Sequence, residues 1–164
     1  MALKTNALWW GLGALNAEGE IRLARKWTAD LSFAYSPWES GEKKRRFWII
    51  QPEARYWLCN AFEKHSVGVH AIYGKYKIGH LNLPFPTLLE DDYLDGALFG
   101  AGISYGYHMP LGKRWGMELS LGLGFLNLKY DQYSEGLDAG ITKTDSRYYF
   151  GPTKVGISVF YIIR

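Results

Sequence analysis

The sequence predicts an all-β fold: a single eight-stranded antiparallel transmembrane β-barrel with short periplasmic turns and longer extracellular loops. Two observations lead there. Apolar residues alternate with small or charged ones at a period of two, between turn-like segments, along most of the chain. Aromatics also recur at spacings that would form two belts around such a barrel. The 164 residues make one domain, 1–164, and 16% of them are aromatic. Nineteen glycines complete a composition typical of barrel strands.

Strands are expected at 2–14, 17–25, 27–38, 46–59, 66–79, 95–109, 115–130 and 146–163, with no helix, linker or repeat. Arg25-Lys26, Asn60 to His65 and Pro110 to Arg114 are short connections. Glu39 to Arg45, His80 to Leu94 and Asp131 to Asp145 are longer. Short turns on one rim and long loops on the other, with both termini at the short-turn end, characterise outer-membrane barrels. The first connection, near Asn16, is short on this reading and fits less well. No apolar helical span is present: the uncharged stretch Gly96 to Gly112 carries five glycines and a proline. Met1 to Asn6 runs straight into a strand pattern, so a mature chain with its signal peptide removed is expected.

The strand from Met117 sets Met117, Leu119, Leu121, Leu123 and Phe125 on one face. Glu118, Ser120, Gly122 and Gly124 lie on the other. The pattern recurs with Phe99, Ala101, Ile103, Tyr105 and Tyr107, and again with Val155, Ile157, Val159 and Tyr161. A water-soluble barrel with the apolar face inward would present glycine and few lysines or glutamates to water. An inverted barrel, apolar toward lipid, accounts for both faces. A membrane-interface girdle is expected from Trp27, Tyr35, Trp48, Tyr56, Trp115 and Phe125. Trp27 and Tyr35, like Trp48 and Tyr56, are eight positions apart, and Trp115 and Phe125 are ten apart. At about 3.3 Å per residue these spans are roughly 26 to 33 Å along the strand.

The same parity predicts an inward polar network of Lys4, Glu20, Arg22, Asp30, Gln51, Glu53, Arg55, His70, Glu118 and Lys154. Its four acids match its four bases, which fits ion pairing in a closed interior. Glycines on the inner face of the later strands, Gly68, Gly74, Gly100, Gly102, Gly106, Gly122, Gly124 and Gly156, would leave room for long side chains from the opposite wall. A barrel of eight strands is about filled by its own side chains, so no open channel is expected.

No catalytic residues emerge. Ser104 and His108 share a face but lie about 13 Å apart along the strand, and Ser66 beside His65 sits at a turn. The His-x-Ser pair of lipid A deacylase barrels is missing. Neither metal nor cofactor is expected: the four histidines have no ligand spacing and Cys59 is the lone cysteine. The net charge of +3 gives no reason to expect nucleic acid. Lys43, Lys44, Arg45 and Arg46 are a candidate contact for lipopolysaccharide phosphates. The expected partners are outer-membrane lipids, lipopolysaccharide and other outer-membrane proteins in a complex.

Several segments carry a family resemblance: Lys4-Thr5-Asn6, Arg25-Lys26-Trp27-Thr28, Tyr35-Ser36-Pro37-Trp38, Gln51-Pro52-Glu53-Ala54-Arg55-Tyr56-Trp57, Gly112-Lys113-Arg114-Trp115 and Tyr149-Phe150-Gly151-Pro152-Thr153-Lys154. Together they resemble the domain-of-unknown-function 3575 family, small exported proteins of Bacteroidales, from about residue 3 to the C-terminus. The resemblance implies an outer-membrane barrel and brings no catalytic residues. Some members accompany fimbrial genes or carry a peptidoglycan-binding domain, which has no counterpart in these 164 residues. The closing Phe160-Tyr161-Ile162-Ile163-Arg164 departs from the terminal aromatic common in outer-membrane proteins. The expected role is a non-enzymatic barrel, structural or accessory to a larger complex. The alternatives are a lipid- or small-ligand-binding barrel and a lipid A-modifying enzyme.

Overall fold

The computed structural model describes residues 1–37, 39–40, 43–78, 94–133 and 141–163. The strands are β1 (Ala2–Asn6), β2 (Leu15–Arg22), β3 (Trp27–Ser36), β4 (Glu39–Ser40), β5 (Lys43–Trp57), β6 (Lys64–Ile78), β7 (Leu94–Pro110), β8 (Trp115–Tyr133) and β9 (Ile141–Ile162). The two-residue β4 pairs only with the start of β5. The other eight pair antiparallel in a ring, closed by β1 against β9 and by β3 against β5. Among the described residues each of these eight strands has a partner strand on both sides along at least part of its length.

Turns 23–26, 58–63 and 111–114 join strands at one rim, the rim that also holds both termini. At this rim Leu111 and Gly112 donate backbone N–H groups to the Trp115 carbonyl. Phe62 (φ 70°) and Lys64 (φ 54°) turn the 58–63 connection through left-handed backbone. The opposite rim carries the longer connections. The expected loop 131–145 is shorter than anticipated, because β8 continues to Tyr133 and β9 starts at Ile141. The expected loop 80–94 falls outside the described residues except for Leu94, which opens β7.

The predicted strand 2–14 needs correction. It stops at Asn6 and gives way to a one-turn helix, α1 (Ala7–Gly11). The Asn6 side chain accepts the Leu8 N–H at 3.0 Å as an N-cap. Gly13, at φ 74°, then returns the chain into β2. The first connection therefore spans residues 7–14 and belongs with the longer ones.

Wall orientation follows the predicted parity. Ile103, Leu121, Val155, Ile157 and Val159 face outward and are exposed, while Glu53, Arg55, Glu118 and Lys154 are buried inside. All six girdle residues lie on the outer face, and the register brings them together. Trp27 opposes Tyr56 with ring centroids 5.2 Å apart, and Tyr35 opposes Trp48. Trp115 packs on Tyr161 at 4.9 Å toward the short-turn rim, and Phe125 on Phe150 at 4.7 Å toward the other. Trp48 also meets Tyr73 edge-on, extending the second belt.

Candidate functional site

The barrel interior is built in layers. At the short-turn end three rings form a floor. The His108 imidazole stacks on Phe160 at 4.7 Å and meets the edge of Trp57 at 4.6 Å, all three being buried. Trp57 Nε1 donates to Thr28 Oγ1 at 2.8 Å, and Thr28 in turn donates to Glu20. Burying an indole N–H and a hydroxyl is tolerable only with such partners.

Above the floor lies an ionic cluster, drawn from β1, β2, β3, β5, β8 and β9 by strand parity alone. Its hub is Arg55. The guanidinium donates from Nε to Glu53 Oε1 at 2.8 Å and contacts Glu118 Oε1 at 2.9 Å. It also reaches Glu18 Oε1 and Glu20 Oε2, each at 3.3 Å. Five donors in a fixed fork suit Arg to several carboxylates at once. Lys4 is the second hub: its ammonium contacts Glu20 and Glu118 closely and Glu18 at 3.3 Å. Lys154 Nζ closes on Glu53 Oε2 at 2.5 Å, and Ser104 Oγ donates to Glu53 Oε1 at 2.7 Å. His108 Nε2 lies 2.5 Å from Glu118 Oε2. Each hub side chain is almost wholly buried, so these contacts are little screened by water.

A third layer holds His70, Gln51 and Thr153. The β8–β9 register shifts between Gly122 and Leu123, which pair with Lys154 and Pro152 and leave Thr153 as the extra residue. Its hydroxyl meets His70 Nε2 at 2.8 Å and its carbonyl accepts from Gln51 Nε2 at 3.4 Å. Nearer the long-loop rim the buried residues include the apolar Ala14, Ala34 and Ile72, together with Tyr76 and Ser36.

At two of the inner-face glycines the room is taken by side chains of nearby strands rather than of the opposite wall. A Cβ at Gly68 would stand 2.5 Å from Glu53 Oε1 and 2.7 Å from Ser104 Oγ. At Gly122 it would meet His70 and Lys154 at 2.8 and 2.9 Å.

Nine of the ten predicted interior residues are buried: Lys4, Glu20, Asp30, Gln51, Glu53, Arg55, His70, Glu118 and Lys154. Arg22 is the exception. It has the right parity, but β2 ends there and its side chain is exposed at the short-turn rim. The predicted balance of four acids and four bases is corrected accordingly. With Arg22 outside and Glu18 inside, five buried carboxyl groups face the cations Lys4, Arg55 and Lys154 among the described residues. Glu18 shares the parity of Glu20, so extending the alternation by two residues would have found it. Thr28 shares the parity of Asp30 in the same way, whereas Thr153 carried no such signal and is identified by the register shift.

Ser104 and His108 are committed to Glu53 and Glu118 respectively. His65 faces outward, with Nδ1 2.6 Å from the Tyr105 hydroxyl. Glu20, His108 and Glu118 offer ligand atoms within 4.8 Å of one another, a grouping able to hold a metal ion. The Lys4 ammonium already contacts both of those glutamates, so a cation is in place there. Of the basic run, Lys43 to Arg46 lies on β5 at the long-loop end, and Arg46 is exposed. The side chains of Lys43, Lys44 and Arg45 lie outside the described residues.

No curated protein and no solved structure matches the chain. A family model does, the one described as "Protein of unknown function (DUF3575)", over residues 1–163. With nearly the whole barrel covered, from the first strand to the last, the chain belongs to the DUF3575 family.

Proposed function

We propose that this barrel spans a bacterial outer membrane as a non-enzymatic structural element or accessory subunit of a larger membrane complex. One observation carries the reading: the outer wall is apolar between two belts of paired aromatics, while the charged residues are packed inside. Ile103 is 67% exposed, Phe125 66% and Val69 60%. Contiguous apolar surface on that scale is unfavourable in water and favourable against acyl chains. Trp27 and Trp115 each follow a basic turn, Arg25-Lys26 and Lys113-Arg114, where headgroup phosphates would lie. Lys43 to Arg46 would meet lipopolysaccharide at the opposite rim.

The accessory role rests on the interior. Most of its polar side chains are spent on one another, and the space beside Gly68 and Gly122 is taken by Glu53, Ser104, His70 and Lys154. That leaves less support for a ligand-binding lumen or for lipid A chemistry, and puts the available surface on the rims and wall.

Two experiments test the reading. Folded barrel in detergent should migrate differently in gels before and after boiling, and should precipitate when detergent is removed. A monodisperse sample at high concentration in plain buffer would overturn the membrane assignment. For the accessory role, affinity capture from native membranes should bring other outer-membrane proteins in fixed ratio, and recovery of the barrel alone would refute it.

A further inference from the structure

Two of the short turns are one structure built twice. Leu23-Ala24-Arg25-Lys26-Trp27 and Leu111-Gly112-Lys113-Arg114-Trp115 share a pattern: leucine, a small residue, two cations and a tryptophan. In each, the backbone N–H groups of the leucine and the small residue donate to the tryptophan carbonyl, at 3.0 to 3.1 Å. In each, the tryptophan packs on a tyrosine directly across the ladder, Trp27 on Tyr56 and Trp115 on Tyr161. The residue after that tyrosine donates its N–H to the carbonyl of the second cation, Trp57 to Lys26 and Ile162 to Arg114, both at 2.8 Å. The side chain of that cation then returns to the same tyrosine. Lys26 Nζ lies 5.8 Å from the Tyr56 ring centroid, and Arg114 Nη1 donates to the Tyr161 hydroxyl at 3.0 Å. The third short turn, 58–63, closes its hairpin with a different sequence, so the fold does not require the motif.

Both modules lack a counter-charge. Lys26 also donates to the Leu58 carbonyl, a neutral acceptor. Neither turn contains an acid, and Glu63, on the third turn, accepts from Asn60 at 3.1 Å. With Arg22 and Lys64 at the adjoining strand ends, six exposed cationic side chains stand at this rim against Glu63, among the described residues. Neighbouring cations above an exposed tryptophan suit a phosphate at a membrane interface. The arginine of each pair adds a planar fork matched to phosphate oxygens. A zwitterionic headgroup would bring its own ammonium toward two positive charges, and a headgroup of net negative charge would not.

The first module also opens onto a depression in the outer wall. A furrow of about 530 Å³ starts at Trp27 and Tyr56 and continues past Ala54, Val69 and Ile103. Register sets Ala54 beside Val69, and Val69 beside Ile103, so the small alanine side chain makes the hollow. We propose that each module binds the phosphate of a phospholipid with net negative headgroup charge, and that the first also seats one of its acyl chains. The inference rests on the membrane reading and adds to it a lipid class, two places of binding and an order of strength between them.

Native mass spectrometry of the barrel released from detergent tests it, with phosphatidylglycerol or phosphatidylethanolamine carrying the same oleoyl chains. The expected result is two retained phosphatidylglycerol molecules, in preference to phosphatidylethanolamine. Arg25→Gln with Lys26→Gln should weaken one site, and Lys113→Gln with Arg114→Gln the other, by about fivefold for each cation removed. Arg22→Gln with Lys64→Gln removes the same charge from the rim outside both modules and should leave retention near that of the parent. Ala54→Leu fills the furrow without touching a charge and should weaken only the first site. Gel migration before and after boiling checks that each variant folds, and the lipid preference is read on the parent alone. Equal retention of the two lipids overturns the proposal, as does equal loss in the module and control pairs. Parent-like binding by Ala54→Leu overturns the acyl seat. Lipid indifference joined to capture of an acidic protein, lost in the module variants, overturns it in favour of a protein partner. A barrel that enters vesicles yet shows no lipid preference refutes this inference alone, whereas one that stays dispersed without detergent refutes the membrane reading beneath it.

Discussion

Replacing Arg55 with Met tests whether the interior charges hold the wall together. The Met side chain keeps most of the apolar stem and removes the guanidinium, which is 2% exposed. Four glutamates then lose a donor: Glu53 at 2.8 Å, Glu118 at 2.9 Å, and Glu18 and Glu20 at 3.3 Å. Each charge-assisted bond contributes on the order of 1.5–3 kcal/mol singly. These bonds share partners, so their values do not add. Breaking a buried ion pair from one side costs about 3–5 kcal/mol, because the stranded charges remain away from water. The expected loss is therefore about 3–5 kcal/mol, a factor on the order of a hundred to several thousand in the unfolding equilibrium. Urea titration in detergent or lipid, followed by tryptophan emission and by gel mobility, measures it. Arg22→Met is the control: exposed at the rim, it should change stability by less than about 0.5 kcal/mol. An Arg55→Met barrel within about 1 kcal/mol of the parent would refute the view that the cluster is a structural hub.

Other substitutions separate the remaining claims. Ile103→Arg places a charge on the outer wall midway between the belts. In a bilayer it should cost about 2–4 kcal/mol, whereas a barrel living in water would tolerate it, as unfolding in vesicles will show. Gly68→Val drives a side chain into Glu53 and Ser104 and should cost about 1–3 kcal/mol by overpacking. Gly19→Ala meets nothing within 4 Å and should leave the unfolding midpoint almost unmoved. Lys4→Ala removes the ammonium beside Glu20 and Glu118, leaves Arg55 on both of them, and opens a position among them and His108 for a metal. Zinc should then raise the thermal midpoint of the variant reversibly with chelator, and should not raise that of the parent.

The wall was legible in the sequence because parity survives folding. Once Leu119 and Leu121 face outward, Glu118 and Ser120 must face inward, and the hydrogen-bonded ladder carries that choice to Ile103 and Val155 on the neighbouring strands. What parity does not show is where a strand stops. Arg22 has the inward phase, yet the chain turns beneath it and leaves it in solvent. The same blindness hid α1. Five residues from Ala7 to Gly11 are too few to display helical periodicity, and the decisive group is the Asn6 cap, a side chain that reads equally well as part of a strand. Thr153 was out of reach for a third reason. A register shift inverts phase locally, so a residue that alternation sends outward is brought to His70. Glu18, by contrast, lay in phase with Glu20 and required no tertiary information.

A cylinder rolled from one ribbon has a seam where the ribbon's ends meet, and here it is closed by a ladder of five residue pairs. β1 contributes five residues, beside a β9 of twenty-two. Backbone pairing alone would make β1 the strand where the wall parts most readily. Lys4, at the centre of β1, crosses the interior to Glu118 on β8 and also grips Glu18 and Glu20 on β2. The first strand is thereby tied like a spoke from within, and the integrity of the cylinder depends on a knot of charge as well as on its hoops of hydrogen bonds.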